Sequence, residues 1–290
     1  MIQAPIIHHP VSFELGPLQL TGFGLAVLLA FVISQIIAER ELARRGHDPS
    51  PISDLIFAAV LGTLIGAKLY YVAFISRDFR DVFSRGGFVF WGGFIGSVAL
   101  CWLYIRWKKL PFTRISDVAG ICIAAGYAVG RTGCWAVGDD YGRPWSGPLA
   151  TTFPEGAPPS TAANMTELFG MTFPPGTPPD QVIAVHPTQL YETVMGMAMF
   201  AILWRLRGHK HAEGWLFGLY CVLAGLERFI VEFFRAKDDR FFGPFTAAQV
   251  IAITIGVAGA VWMYMRRSTG PGKPGIYAEG VPVRQVAASA

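Results

Sequence analysis

The apolar residues of this chain come in blocks close to the length of a membrane crossing, and no other feature narrows the fold so far. Seven blocks can be bounded, at about 17–38, 52–75, 87–105, 115–132, 187–205, 213–234 and 245–265. A hydrocarbon core of roughly 30 Å takes about 20 helical residues to cross. Within lipid every backbone amide and carbonyl needs an internal partner, which a helix supplies segment by segment. Only 15% of residues are charged, against roughly 25% in a soluble chain, and the mean hydropathy is +0.42. This predicts an all-α membrane protein, a seven-transmembrane-helix bundle. The first block starts too late, and lacks a basic leader, for a cleaved signal peptide.

The loops after the first, third, fifth and seventh blocks hold fourteen of the 24 Lys and Arg residues, and the opposite loops hold eight. Positive charge concentrates on the cytoplasmic side, so the N-terminus is expected outside and the C-terminus inside. The membrane domain then spans 1–265, with 132–186 as its longest outer loop. That loop is rich in Pro, Thr and Gly and is expected to be irregular and mobile rather than folded. Residues 266–290 read as a disordered cytoplasmic tail. The four cysteines lack metal-ligand spacing and read as buried free thiols. With no P-loop, dinucleotide fingerprint or metal-ligand cluster, no cofactor, metal or nucleic acid is implied.

Polar groups at membrane depth are costly and mark function by default. The first such stretch, "GYAVGRTGCWAVGDDYGRPW" (126–145), carries Arg131, Asp139, Gly142 and Arg143. Glycines let backbone approach a ligand closely, and a planar guanidinium can hold a phosphate through two parallel bonds. An Arg131–Asp139 ion pair closing the helix end is the alternative. The second, "HPTQLYE" (186–192), sets His186 before a proline suited to a helix's first turn; Gln189 and Glu192 share a face three residues apart. Here His186 either exchanges a proton at neutral pH or the stretch simply caps the helix, with Tyr191 as an interfacial anchor. His8 and His9 precede the first block in a segment with no evident anchor.

The third stretch, "ERFIVEFFRAKDD" (227–239), puts Arg228, Glu232 and Arg235 on one helical face. Arg228 and Glu232 suit a buried pair, and Arg235 is left over for a ligand. In support, "GAKLYY" (66–71) places Lys68 in the outer half of its block, and "GGFVFWGGFIG" (86–96) is glycine-dense enough for close helix packing. Arginines from several segments at one membrane edge point to an anionic amphiphile, a phospholipid headgroup.

These stretches, in this order, resemble the prolipoprotein diacylglyceryl transferases of bacterial inner membranes, over about residues 15–265. The resemblance implies a multi-pass enzyme that moves a diacylglyceryl group from phosphatidylglycerol to the lipobox cysteine thiol of a prolipoprotein signal peptide. A thioether forms and glycerol-1-phosphate leaves on the periplasmic side. On this reading Arg131, Arg228, His186, Asp139 and Glu192 are expected to be catalytic. Arg131, Gly142, Arg143, Lys68, Gln189, Tyr191 and Arg235 are assigned to substrate binding. Arg131 and Arg228 would clamp the phosphate, with Lys68, Arg143 and Arg235 adding to the field.

The chain departs from the family pattern at several of these places. Trp91 stands where the family has histidine, Cys134 where it has asparagine, Asp139 where it has glutamate, Lys68 where it has arginine, and Phe23 and Ala224 where it has tyrosine. Trp91 offers no proton acceptor, so His186 is expected to be the base, oriented by Asp139 or Glu192, whose carboxyl groups neighbouring arginines would hold low. The alternative is a non-catalytic phospholipid- or lipoprotein-binding paralogue of the same fold. A transporter ranks below both, since no inverted repeat is visible.

Overall fold

The computed structural model describes residues 5–15, 18–84, 87, 89–236 and 240–277. Arg85, Lys237 and Arg284, counted above for orientation, and the tail from 278 lie outside the described residues.

In chain order the elements are β1 (Ile6–Ile7), β2 (Ser12–Leu15), β3 (Leu18–Thr21), α1 (Gly22–Arg44), α2 (Pro51–Tyr70), α3 (Phe90–Trp107), α4 (Phe112–Val137), β4 (Thr151–Thr152), α5 (Ala162–Phe169), α6 (Thr188–Leu206), α7 (Trp215–Val231), β5 (Arg240–Phe242), β6 (Phe245–Thr246) and α8 (Ala247–Met265). The chain is therefore mostly helical. Among the described residues its strands make only two-stranded sheets: β1 parallel to β4, and the hairpins β2–β3 and β5–β6.

Each of the seven apolar blocks holds one of the long helices. Their ends follow local chemistry. Pro51 opens α2, where its missing N–H costs nothing. At α8 the Thr246 side chain accepts from the Gln249 amide while Gln249 reaches back to the Thr246 amide, closing a capping box. Among the described residues, four helical segments are long and apolar enough to cross a membrane: Gly22–Arg44, Pro51–Ser76 (α2 with its π-helical extension), Phe112–Val137 and Ala247–Met265. The helices α3, α6 and α7 stand where expected but are 18, 19 and 17 residues long. They also carry Arg106, Glu192 with Arg205, and Glu227 with Arg228.

Among the described residues the chain forms two compact units, one within 1–34 and 119–275, the other within 35–118 and 276–290. In the second unit α2 packs on α3 through Gly62, Gly66, Gly92 and Gly96, and a Cβ on Gly66 would run into the Gly92 carbonyl. The expected close packing is present. Arg45, fully buried, pairs with Glu41 at 2.8 Å and Asp117 at 3.5 Å. The Lys68 ammonium donates to the Ser84 carbonyl and hydroxyl at 2.7 and 2.9 Å.

In the first unit α7 packs against α8 and α6, and Gly196 of α6 lies on Tyr127 and Ala128 of α4. Residues 132–186 correct the expectation of an irregular, mobile segment. Tyr141, Phe153, Met165, Val185 and Ala236 form a buried cluster there, with Tyr141 stacked on Phe153 at 5.3 Å and α5 capped by Thr161. Its aromatic and aliphatic residues are too few and too scattered for a periodic signal, yet enough to exclude water once 141 and 236 are brought together. The start of the expected tail is also folded: Arg266 Nε donates to the Glu213 carbonyl at 2.6 Å and Ala212 bridges Gly275. The four cysteines are free, two of them buried.

Candidate functional site

Three sequence regions meet at one end of the first unit. The chain leaving α4 turns through Gly138 and Asp140, both with positive φ of 70° and 57°, into the segment 142–145. That segment lies between two others. Gly142 N–H donates to the His186 carbonyl and Arg143 N–H to the Phe234 carbonyl, each at 2.8 Å, and His186 N–H donates to the Arg143 carbonyl at 3.0 Å. Gly142 has no room for a side chain, because a Cβ would come within 2.8 Å of His186 Cβ and Thr188 Cγ2. Its part in the sequence motif is therefore close backbone approach.

The first turns of α6 hold the α4 exit from the other side. Thr188 Oγ1 donates to the Asp140 carbonyl at 2.7 Å, and Gln189 Nε2 to the Asp139 carbonyl at 2.5 Å. Both side chains are fully buried. One turn further, the buried Glu192 carboxylate meets Arg131 Nη2.

These contacts gather the arginines. Arg131 Nη1 reaches Asp140 Oδ2 at 2.8 Å and Arg235 Nη2 reaches Asp140 Oδ1 at 2.6 Å. Arg228 Nη2 pairs with Glu232 at 2.5 Å, which also lies 3.9 Å from Arg235 Nε. Arg143 Nε donates to the Arg235 carbonyl at 2.8 Å. Arg131 Nε and Arg228 Nη1 are buried and make no hydrogen bond. Buried guanidinium donors without acceptors are costly and mark where an anion's oxygens would be accepted.

The expected Arg228–Glu232 pair is present. The expected Arg131–Asp139 pair is not: Asp140, one residue on, takes that place, because its left-handed backbone turns the side chain back toward the α4 end. Arg235 is likewise not left over, since Asp140 and Glu232 face it. Asp139 instead points inward, with Oδ1 buried and unbonded. Burial pushes its carboxyl up from the ordinary value, which corrects the expectation that arginines hold it low. Asp140 behaves oppositely. Burial opposes its ionisation, but Arg235 and Arg131 outweigh that and hold it at about 2.

His186 sits in an aromatic setting rather than among carboxylates. Its ring stacks on Trp145 and Nδ1 lies 3.2 Å from the Tyr191 hydroxyl. Burial lowers its pKa below 6.5. Tyr191, in place of Asp139 or Glu192, is thus its orienting neighbour. Sequence reasoning also missed His8. It is anchored: Ile6 and His8 N–H groups donate to the Ala150 and Thr152 carbonyls at 2.8 and 2.9 Å, and its buried ring lies between Trp135 and Phe153. Tyr127, which donates to Glu227 at 2.9 Å, and Trp145 carried no local signal either. Lys68 and Trp91 belong to the second unit, where Lys68 is bonded to Ser84 and Trp91 stands half-exposed beside Phe90.

The arrangement is a half-buried arginine cluster with a neutral imidazole nearby, suited to holding a phosphate ester while a proton moves. The family model described as prolipoprotein diacylglyceryl transferase matches residues 10–265. Relatives named phosphatidylglycerol–prolipoprotein diacylglyceryl transferase are similar to this chain along most of their length. That of Nitratidesulfovibrio vulgaris is 31% identical over 89% of this chain and 93% of its own. Those of Stenotrophomonas maltophilia and Burkholderia cenocepacia are 30% and 32% identical, over 89% and 91% of this chain and 92% and 97% of theirs. Matched through almost its whole folded length, the chain belongs to the prolipoprotein diacylglyceryl transferase family.

Proposed function

We propose that this chain transfers the diacylglyceryl group of phosphatidylglycerol to the lipobox cysteine of a prolipoprotein, forming a thioether and releasing glycerol-1-phosphate. The observation that carries this reading is the meeting of Arg131, Arg143, Arg228 and Arg235 at the ends of α4 and α7, with buried donors still lacking acceptors. The protein acts as a multi-pass enzyme of the bacterial inner membrane. Its seven helices span the bilayer with the N-terminus periplasmic and the C-terminus cytoplasmic, so the cluster faces the periplasm. The folded outer loop bordering it is the face offered to the signal peptide.

The thiolate is the nucleophile. As it forms, its proton passes to His186, and sulfur attacks the glyceryl carbon that bears the phosphate ester. The C–S bond forms as the C–O bond breaks, and the bonding pair leaves with glycerol-1-phosphate. Arg131 and Arg228 stabilise the charge growing on that leaving group, commonly the largest catalytic contribution. With Nδ1–H donating to Tyr191, His186 accepts the proton at Nε2. A second reading gives the proton to Asp139, whose buried carboxyl is pushed upward.

The test is transfer of labelled diacylglyceryl from phosphatidylglycerol to a lipobox peptide by the purified chain. A thioether-linked product is expected. Donor binding without transfer would instead identify a non-catalytic binding member of the family.

A further inference from the structure

Asp140 belongs to none of the roles assigned above, yet it occupies the centre of the cluster. Its two carboxylate oxygens meet two different guanidinium groups, Arg131 at 2.8 Å and Arg235 at 2.6 Å. A phosphodiester offers two non-bridging oxygens of similar spread and charge, and would meet the same two arginines in the same way. Arg228 and Arg131 are further faced by Glu232 and Glu192. A phosphate reaching both Arg131 and Arg235 therefore has to take one acid's place. The three acids are not equally placed to yield. The side chains of Glu192 and Glu232 are each 3% exposed, while that of Asp140 is 34% exposed.

The geometry points to Asp140 as an internal stand-in for the substrate's phosphate, an anion that holds Arg131 and Arg235 apart at phosphate spacing and is displaced when the donor lipid binds. The backbone permits this. The Asp140 carbonyl is tied to Thr188 and the Asp139 carbonyl to Gln189, so the side chain can rotate outward without moving the α4 exit. Rotamer changes of exposed side chains take picoseconds to nanoseconds. Displacement gives specificity too. A ligand carrying one weak anionic oxygen cannot replace two charge-assisted contacts, whereas a phosphate ester can. While Asp140 is in place the arginines do not repel one another, so the site is preorganised at the cost of some donor affinity.

This inference rests on the phosphate-binding reading of the same cluster, and the experiment separates the two. The full chain in lipid nanodiscs is compared with Asp140→Asn, which keeps the side-chain size and tolerates the left-handed backbone. Phosphatidylglycerol KM and the thermal shift given by glycerol-1-phosphate are both measured. Removing a charged competitor is expected to lower KM about tenfold or more. The variant is expected to melt lower than the parent when unliganded and to show the larger ligand-induced rise. Asp140→Gly, also at ease with positive φ, should reproduce the KM change. An unchanged or raised KM with a smaller thermal shift in both variants overturns the stand-in role and leaves Asp140 as a brace for the arginines. If neither parent nor variants respond to phosphatidylglycerol or glycerol-1-phosphate, the phosphate-site reading fails and this inference with it.

Discussion

Trp145 lies flat on His186, the two rings 4.3 Å apart and 12° from parallel. The stack exists because Trp145 N–H donates to the Ala184 carbonyl at 2.9 Å, which sets the two residues side by side. It shields one imidazole face from water, and that burial holds His186 below its ordinary pKa.

A base must be neutral to act, so a lowered pKa extends activity toward acid. Transfer is expected to be full at neutral pH and to fall only as pH drops below the ordinary histidine value of about 6.5. Trp145→Ala admits water and should move this acidic limb upward. His186→Gln should lose transfer and keep phosphatidylglycerol binding. A pH–rate profile for each variant decides it. Parental transfer by His186→Gln, with loss in Asp139→Asn, would give the proton to Asp139.

Arg131→Ala should lose roughly 10³-fold or more in transfer, from two to three charge-assisted bonds of roughly 1.5–3 kcal/mol each. Arg131→Lys should lose less, keeping charge without the fork. Alanine also leaves Glu192 buried and unpaired, so Arg131→Ala/Glu192→Gln should recover thermal stability but not transfer. Steady-state kinetics beside melting curves separate the two effects, and parental turnover by Arg131→Ala would sink the clamp.

Gly142→Ala should be costly in a way Gly130→Ala is not. A Cβ at 142 meets His186, Thr188 and the Phe234 carbonyl, whereas one at 130 meets nothing within 4 Å. Overpacking costs about 1–3 kcal/mol, and here it separates the segments that bring the arginines together. A lower melting temperature and lost transfer for Gly142→Ala alone are expected; equal melting temperatures would contradict it.

Trp91 is 50% exposed, so Trp91→His disturbs no core and should fold. Transfer is expected to be kept or raised. If the parent is inert and only Trp91→His transfers, the chain is a binding protein rather than an enzyme.

A reporter enzyme that works only outside the cytoplasmic membrane, fused after Met265, should be silent. Activity there would reverse the proposed orientation.

The positions of the long helices were legible because helix formation and apolar length are properties of adjacent residues. So was the Arg228–Glu232 pair, since a separation of four residues brings side chains together on any helix. The glycine packing of α2 on α3 was legible for a similar reason: only glycine allows backbones so close. Which acid meets Arg131 was not. Asp139 and Asp140 are equivalent by spacing, and the choice falls to the 57° φ of Asp140 and to the grip of Thr188 and Gln189, some fifty residues on in the chain. His8 gave no sign either, because its anchor is β4, far along the sequence. Nor did the folding of the 132–186 loop around Phe153, whose partners Tyr141, Val185 and Ala236 are spread over three segments. Local periodicity and composition, both read along the chain, are enough to specify the helices and the kind of charge gathered at their ends. Which charges meet follows only from the packed fold, because contacts between distant segments depend on how all of them pack at once.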